Sequence, residues 1–211
     1  ELAAALGGTA AITTAGDLAL GFSFDDPPIG WAVEPGSEIK KVTAALLAGE
    51  AVALDDPLHL ANWLHDSAAE FDSAATCKVA VSEQAEGSAD IMLRPQILAL
   101  GVGCERGASA DEVAALIAQT LGEAELSPLA IACMSSIDLK MDEAALRMVA
   151  RQLGLPLRFF DAARLEQETP RLANPSDTVF KAVGCHGVAE AAALACVGAD
   201  GALIVNKTKS A

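Results

Sequence analysis

The residues of this chain best suited to chemistry fall into three short stretches of its second half. "SSIDLKMDE" (135–143) crowds Ser135, Ser136, Asp138, Lys140 and Glu143 behind an apolar run, at the carboxyl end of an expected strand, where α/β sheets keep their sites. "LANPSDTVFKAVGCHGVAE" (172–190) offers Asn174 and Ser176 in a turn, His186 as a candidate general base, and Glu190 in the first turn of an expected helix. Lys140, Glu143, His186 and Glu190 are the titratable groups expected at a cleft, and acid–base work is what they could do there. The first stretch also suits a polar loop with helix caps, and a loop histidine also suits a surface hydrogen bond.

The third stretch, "ILALGVGCERGASADE" (97–112), could hold an anion. An all-apolar run, Ile97 to Val102, reads as a buried parallel strand, and Ser109 with Glu112 reads as a capping box that starts a helix. Between them, Gly101, Gly103 and Gly107 let backbone amides approach a ligand, and Arg106 presents a planar pair of donors. The expected ligand is a carboxylate, held by Gly103, Arg106, Gly107 and Ser109; the competing reading is a surface salt bridge from Arg106 to Glu105 or another nearby acid. The stretch is neither a phosphate-binding Walker loop nor a GxGxxG turn, since position 106 is arginine and no lysine with Ser/Thr follows.

Cys104 could be a nucleophile, but a small buried cysteine is the simpler role. Cys185 and His186 are adjacent, yet no second pair completes a tetrahedral set, so no metal site is expected. His59 and His65 flank Trp63 in the most acidic part of the chain and read as structural. The five cysteines form no CxxC pair and read as reduced thiols, as in a cytoplasmic protein.

The elements that must position these groups are legible from Gln96 onward: strand 97–102, helix 110–122, strand 129–134, helix 142–153 and strand 157–160. A short helix (162–167), a proline loop (169–176), helix 187–196 and strand 202–205 follow. Such alternation predicts α/β architecture, a mostly parallel sheet with helices on both faces. Residues 1–95 read as a separate, incomplete α/β region: helix "ELAAALGG", strand "TAAITT", a long loop (21–36), a helix over "SEIKKVTAALLAGE", strands at 51–54, 78–82 and 90–93, and a helix over "HLANWLHDSAA". Both chain ends look cut.

The chain has 211 residues, 52% of them hydrophobic, and a net charge of −15. That charge argues against nucleic acid and anionic membranes as partners, and no apolar run reaches the roughly 18 residues of a membrane span. The acidity is uneven: residues 1–95 carry 4 basic and 15 acidic side chains, residues 96–211 carry 10 and 14. An anionic ligand should therefore prefer the second half.

"LGVGCERGASADEV", "SSIDLKMDEAALRMVARQLGLPLRFF" and "NPSDTVFKAVGCHGVAEAAALA" together resemble the carboxyl-terminal domain of the cobalamin-biosynthesis CbiG/CobE family. "ELAAALGGTAAITTAGD" and "EIKKVTAALLAGEAVAL" are similar to the central part of the longer CbiG-type members, so the resemblance divides the chain into a central region (1–95) and a C-terminal domain (96–211). It implies a tetrapyrrole substrate, a precorrin or cobalt-precorrin, and hydrolysis of the δ-lactone of cobalt-precorrin-5A with release of acetaldehyde. It implies no cofactor, cobalt entering only as part of the substrate. It also implies other cobalamin-pathway enzymes, or a fused precorrin-3B C(17)-methyltransferase, as partners, with a corrinoid carrier or a regulatory domain as the alternatives. Lactone opening needs an activated water, donors for an oxyanion and an acid for the departing oxygen, and Lys140, Glu143, His186 and Glu190 are types able to supply these.

Overall fold

The computed structural model describes residues 15–210, so the helix over "ELAAALGG" and the strand over "TAAITT" expected at the start lie outside the described residues. The chain divides into two compact units, residues 1–82 with 87–94, and residues 95–211 with the short segment 83–86.

The first unit contains α1 (Ala15–Leu20), β1 (Trp31–Val33), α2 (Ile39–Leu47), β2 (Val52–Asp55), α3 (Asn62–His65), β3 (Cys77–Val81) and β4 (Ile91–Pro95). Its sheet runs β1-β4-β3-β2, with β2–β3 and β3–β4 parallel. Two expectations fail here. The loop expected at 21–36 contains β1, and the helix expected at 59–69 shrinks to the single turn of α3. Phe22, Phe24, Trp31 and Trp63 pack edge to face, and this aromatic contact recruits β1 to the sheet edge and orders the loop around it. The N–H groups of Leu60 and Ala61 are held by the buried Asp56 carboxylate, which replaces the first helical turn there. His65 reaches the same carboxylate, a structural use of that side chain. Arg94, also buried, gives its Nε to Glu34 and its Nη1 to the Ser82 carbonyl.

The second unit is a three-stranded parallel sheet, β5 (Leu98–Gly101), β6 (Ile131–Ile137) and β7 (Leu157–Phe160), in that order, with helices on both faces. Helices α4 (Ala110–Glu123) and α5 (Ala144–Gln152) cover one face. Their stripes Val113, Ile117, Leu121 and Leu146, Val149 recur at helical spacing and bury against Ile131 and Met134. The other face is covered by α6 (Ala162–Glu166) and α8 (Ala189–Val197), with α7 (Asp177–Val183) between them in sequence. α8 has no polar stripe: Ala191, Ala192 and Leu194 are buried, as in a helix enclosed by protein.

β5 is an edge strand, and its four residues are only half-buried, which corrects the fully buried strand expected there. The glycine at its end has a packing role. A Cβ on Gly101 would stand 1.9 Å from the Ala189 carbonyl oxygen, so the missing side chain is what lets α8 lie against β5. Gly101→Ala should therefore force helix and strand apart, at a cost of about 3 kcal/mol in chemical denaturation. A variant as stable as the parent would show that α8 yields without loss.

α7 had no counterpart in the sequence reading, although Ser176 caps it and Gly184, at φ +82°, ends it. The strand expected at 202–205 does not form. Carbonyls just before it, at Gly198 and Gly201, accept from Arg171, and the N–H of Lys207 goes to Glu190. Side chains thus pin both flanks of the segment in place of a ladder.

Candidate functional site

In a parallel sheet the loops leaving the strands' carboxyl ends share one edge. Here that edge carries residues 102–109 after β5, 138–143 after β6 and Asp161 with α6 after β7.

Between the first two loops lies an ion pair with little solvent around it. The Lys140 side chain is 14% exposed, and its Nζ stands 3.9 Å from Glu143 Oε2. The other oxygen of Glu143 accepts the N–H of Gly107 at 3.1 Å. Gly107 has φ +75°, a left-handed turn that glycine adopts without strain. Cys104 borders this pair. Burial raises its thiol pKa, and the nearby Lys140 only partly opposes that, so the thiol stays protonated and is no ready nucleophile.

Arg106 stands at the rim of the same edge. Its Nη1 donates to Asp142 Oδ1 and its Nη2 to the Leu139 carbonyl, both at 2.7 Å. Arginine and aspartate are 62% and 73% exposed, an open pair of the kind that adds at most about 1 kcal/mol. The acid is Asp142, not the sequence neighbour Glu105. Ser109 begins α4 as expected, but its side chain makes no cap bond, so the expected capping box is absent and the first-turn amides keep their capacity for an acceptor. Gly103 would meet Val188 only at ordinary contact distance if it carried a Cβ.

Ser135 and Ser136 are not at the edge. Both are fully buried on the central strand, with hydroxyls donating to the carbonyls of Leu100 in β5 and of Val102 just after it. Asn174 and Ser176 lie in a surface turn, and both make hydrogen bonds within the protein. The Ser176 hydroxyl accepts from Val179 N–H, and Asn174 serves Glu190.

Glu190 sits in the first turn of α8, as its sequence position suggests, yet only 4% of it is exposed. Its oxygens accept the Asn174 N–H, the Asn174 side-chain amide and the Lys207 N–H, at 2.9–3.0 Å. Burial pushes this carboxyl up, but those donors and the backbone at Ala173 outweigh it and hold the group below the ordinary carboxylate range. At neutral pH it is an anion that ties two loops to one helix. No hydrogen bond or ion pair among the described residues joins it to Lys140 or Glu143.

His186 is held differently. Its Nδ1 lies 2.9 and 3.0 Å from the two oxygens of Glu166, while Nε2 is 3.5 Å from Asp177, too far for a bond. The ring stacks on Phe180, centroids 4.5 Å apart, and is partly open to solvent. Burial pushes the Glu166 carboxyl up, but the His186 N–H, the Thr169 hydroxyl and the imidazole together leave it below its ordinary value. An ionised carboxylate can only accept, so the Nδ1 that faces it carries a hydrogen. A carboxylate behind an oriented imidazole, with Nε2 turned toward the exposed Asp177, makes a general-base arrangement. Glu166 escaped the sequence reading because it is 20 residues from His186. The only available hint was its place on the helix that follows β7.

The profile of a protein family described as cobalamin synthesis G C-terminus matches residues 98–211. Protein CobE of Sinorhizobium sp is 46% identical over 114 residues, 54% of this chain and 74% of that protein. The cobalt-precorrin-5A hydrolase of Priestia megaterium is 31% identical over 229 residues. That match takes in 98% of this chain but 61% of the relative, so the chain spans about three fifths of the hydrolase's length. Among solved structures, CobE of the cobalamin biosynthetic pathway aligns at 44% identity over 48% of this chain and 72% of its own, with a TM-score of 0.46.

Proposed function

Because this chain belongs to the cobalamin synthesis G C-terminal family, a family of cobalamin biosynthesis, we propose that it opens the δ-lactone of cobalt-precorrin-5A and sets free acetaldehyde. The observation that carries this reading is the extent of the hydrolase match. It runs through both units of the chain, whereas the match to CobE takes in only 54% of it.

In this reading His186 does the proton work. Nε2 takes a proton from water as the water oxygen attacks the lactone carbonyl, and Glu166 steadies the imidazolium through Nδ1. Lys140 supplies a positive donor for the oxyanion on the same edge of the sheet. Collapse of the tetrahedral intermediate breaks the ring C–O bond, and the imidazolium returns its proton to the departing oxygen. Deprotonation of the hydroxyl so formed turns its oxygen into the acetaldehyde carbonyl as the carbon–carbon bond to the macrocycle breaks, the bonding pair staying on the macrocycle, which takes up a proton. Cobalt belongs to the substrate.

Purified chain given cobalt-precorrin-5A should release acetaldehyde, measured by a coupled alcohol dehydrogenase assay. A second reading, a carrier that holds an unstable corrinoid, draws on the higher identity to CobE, a name that claims no reaction. Tight binding with no acetaldehyde would favour the carrier. Neither binding nor turnover would point to an accessory domain.

Arg106 is the proposed grip on a substrate carboxylate. Its pair with Asp142 is so exposed that an incoming carboxylate can displace Asp142 at little cost. Arg106→Ala should weaken corrinoid binding by about 1–3 kcal/mol at low salt and leave the melting temperature nearly unchanged. Equal affinity of variant and parent in a low-salt titration would leave Arg106 a surface residue.

A further inference from the structure

Among the five cysteines, two that are 63 residues apart in sequence meet across the interface of sheet and helix. Cys133 on β6 donates its S–H to Cys196 on α8, with the sulfurs 3.6 Å apart. Cys133 is a buried residue and Cys196 a half-buried one, so of the two it is Cys196 that lies nearer the protein surface. We propose that Cys133 and Cys196 form a redox-active pair that closes to an intramolecular disulfide when a peroxide oxidises the outer sulfur. This is independent of the hydrolase reading.

The geometry dictates the order of events. The Cys196 thiolate attacks hydrogen peroxide, whose O–O bond breaks; sulfur gains the oxygen as sulfenic acid and hydroxide leaves. Cys133 then attacks that sulfur, the S–O bond breaks, and water departs with the Cys133 proton. Two electrons pass from the two thiols to the peroxide. Closure brings the sulfurs from 3.6 Å to the roughly 2.05 Å of a disulfide.

The electrostatics favour the same entry point. The hydrogen bond from Cys133, helped by Ser135 and Arg158 against the opposing effect of burial, brings the Cys196 thiol down to about 6. Burial raises the thiols of Cys77, Cys104 and Cys185. The gain in rate from this is small. A more acidic thiol is more ionised but its thiolate is less nucleophilic, so the two effects largely offset. Position therefore decides the outcome more than acidity does, because Cys133 captures the sulfenic acid before a second peroxide can.

The test is hydrogen peroxide treatment of the reduced chain, alkylation of remaining thiols, and peptide mapping without reductant. The expected product is one linked peptide pair containing Cys133 and Cys196, two hydrogens lighter than the reduced peptides and separated again by dithiothreitol, with the other three cysteines alkylated. Sulfinic acid on an unlinked Cys196, a link through any other cysteine, or full alkylation of all five would each overturn the proposal. Cys133→Ser should leave a sulfenic acid on Cys196 that dimedone traps at about the parent's rate of Cys196 loss. An unreacted Cys196 in that variant would also count against it.

Discussion

His186→Ala should lower acetaldehyde release from cobalt-precorrin-5A by about 10²- to 10⁴-fold, the usual contribution of a positioned general base, and leave the fold intact. The loop does not depend on the ring. The His186 N–H donates to Glu166, and its carbonyl accepts the Ser176 N–H, so both anchors are backbone groups that alanine keeps. What alanine removes is the imidazole between Glu166 and solvent. Glu166→Gln should also slow turnover by at least about tenfold, since a glutamine amide can donate to Nδ1 and move the ring hydrogen to Nε2, the wrong tautomer for a base. Circular dichroism melts of both variants separate this from unfolding. Full turnover in His186→Ala would place the proton transfer elsewhere and leave the histidine as packing on Phe180.

Glu190→Gln should destabilise the second unit by about 2–4 kcal/mol, because a neutral amide both weakens bonds made to a charge and sets an NH2 against donors already in place. Were Glu190 the catalytic acid, the same change would stop turnover at unaltered stability, so paired denaturation and activity measurements separate the roles. The pH dependence carries the sign. Glu190 has its folded pKa lowered from 4.5, so the folded protein holds this proton less tightly than the unfolded chain. Its stabilisation is fully present above about pH 4.5 and is lost as pH falls through the depressed folded value. The parent should lose stability more steeply than Glu190→Gln on acidification below that point. Parallel curves for the two proteins would show that the carboxylate adds nothing as an anion.

Much of the second unit could be read directly. β7 lies at the strand expected over 157–160, and α4 begins just after Ser109, because strand and helix periods are properties of residues a few positions apart. The three stretches that resemble the CbiG/CobE family lie within the region its profile matches. The candidate site was legible as a set of residue types, and much less so as an arrangement. Ser135 and Ser136 have the composition of a binding loop, but β6 is the middle strand, so their hydroxyls meet β5.

Local grammar was legible in the residues: a parallel α/β domain, a reserve of acids and bases at strand ends, and an acidic first half. Partnership was not, and came only with the fold. Gly101 serves the approach of α8, Glu190 gathers loops 16 and 17 residues away, Glu166 orients His186, and Cys133 faces Cys196. The physical reason is one of range. Turn chemistry and hydrophobic periodicity act over about four residues, whereas these contacts arise where helices are laid on a sheet, and that depends on packing across the whole domain at once.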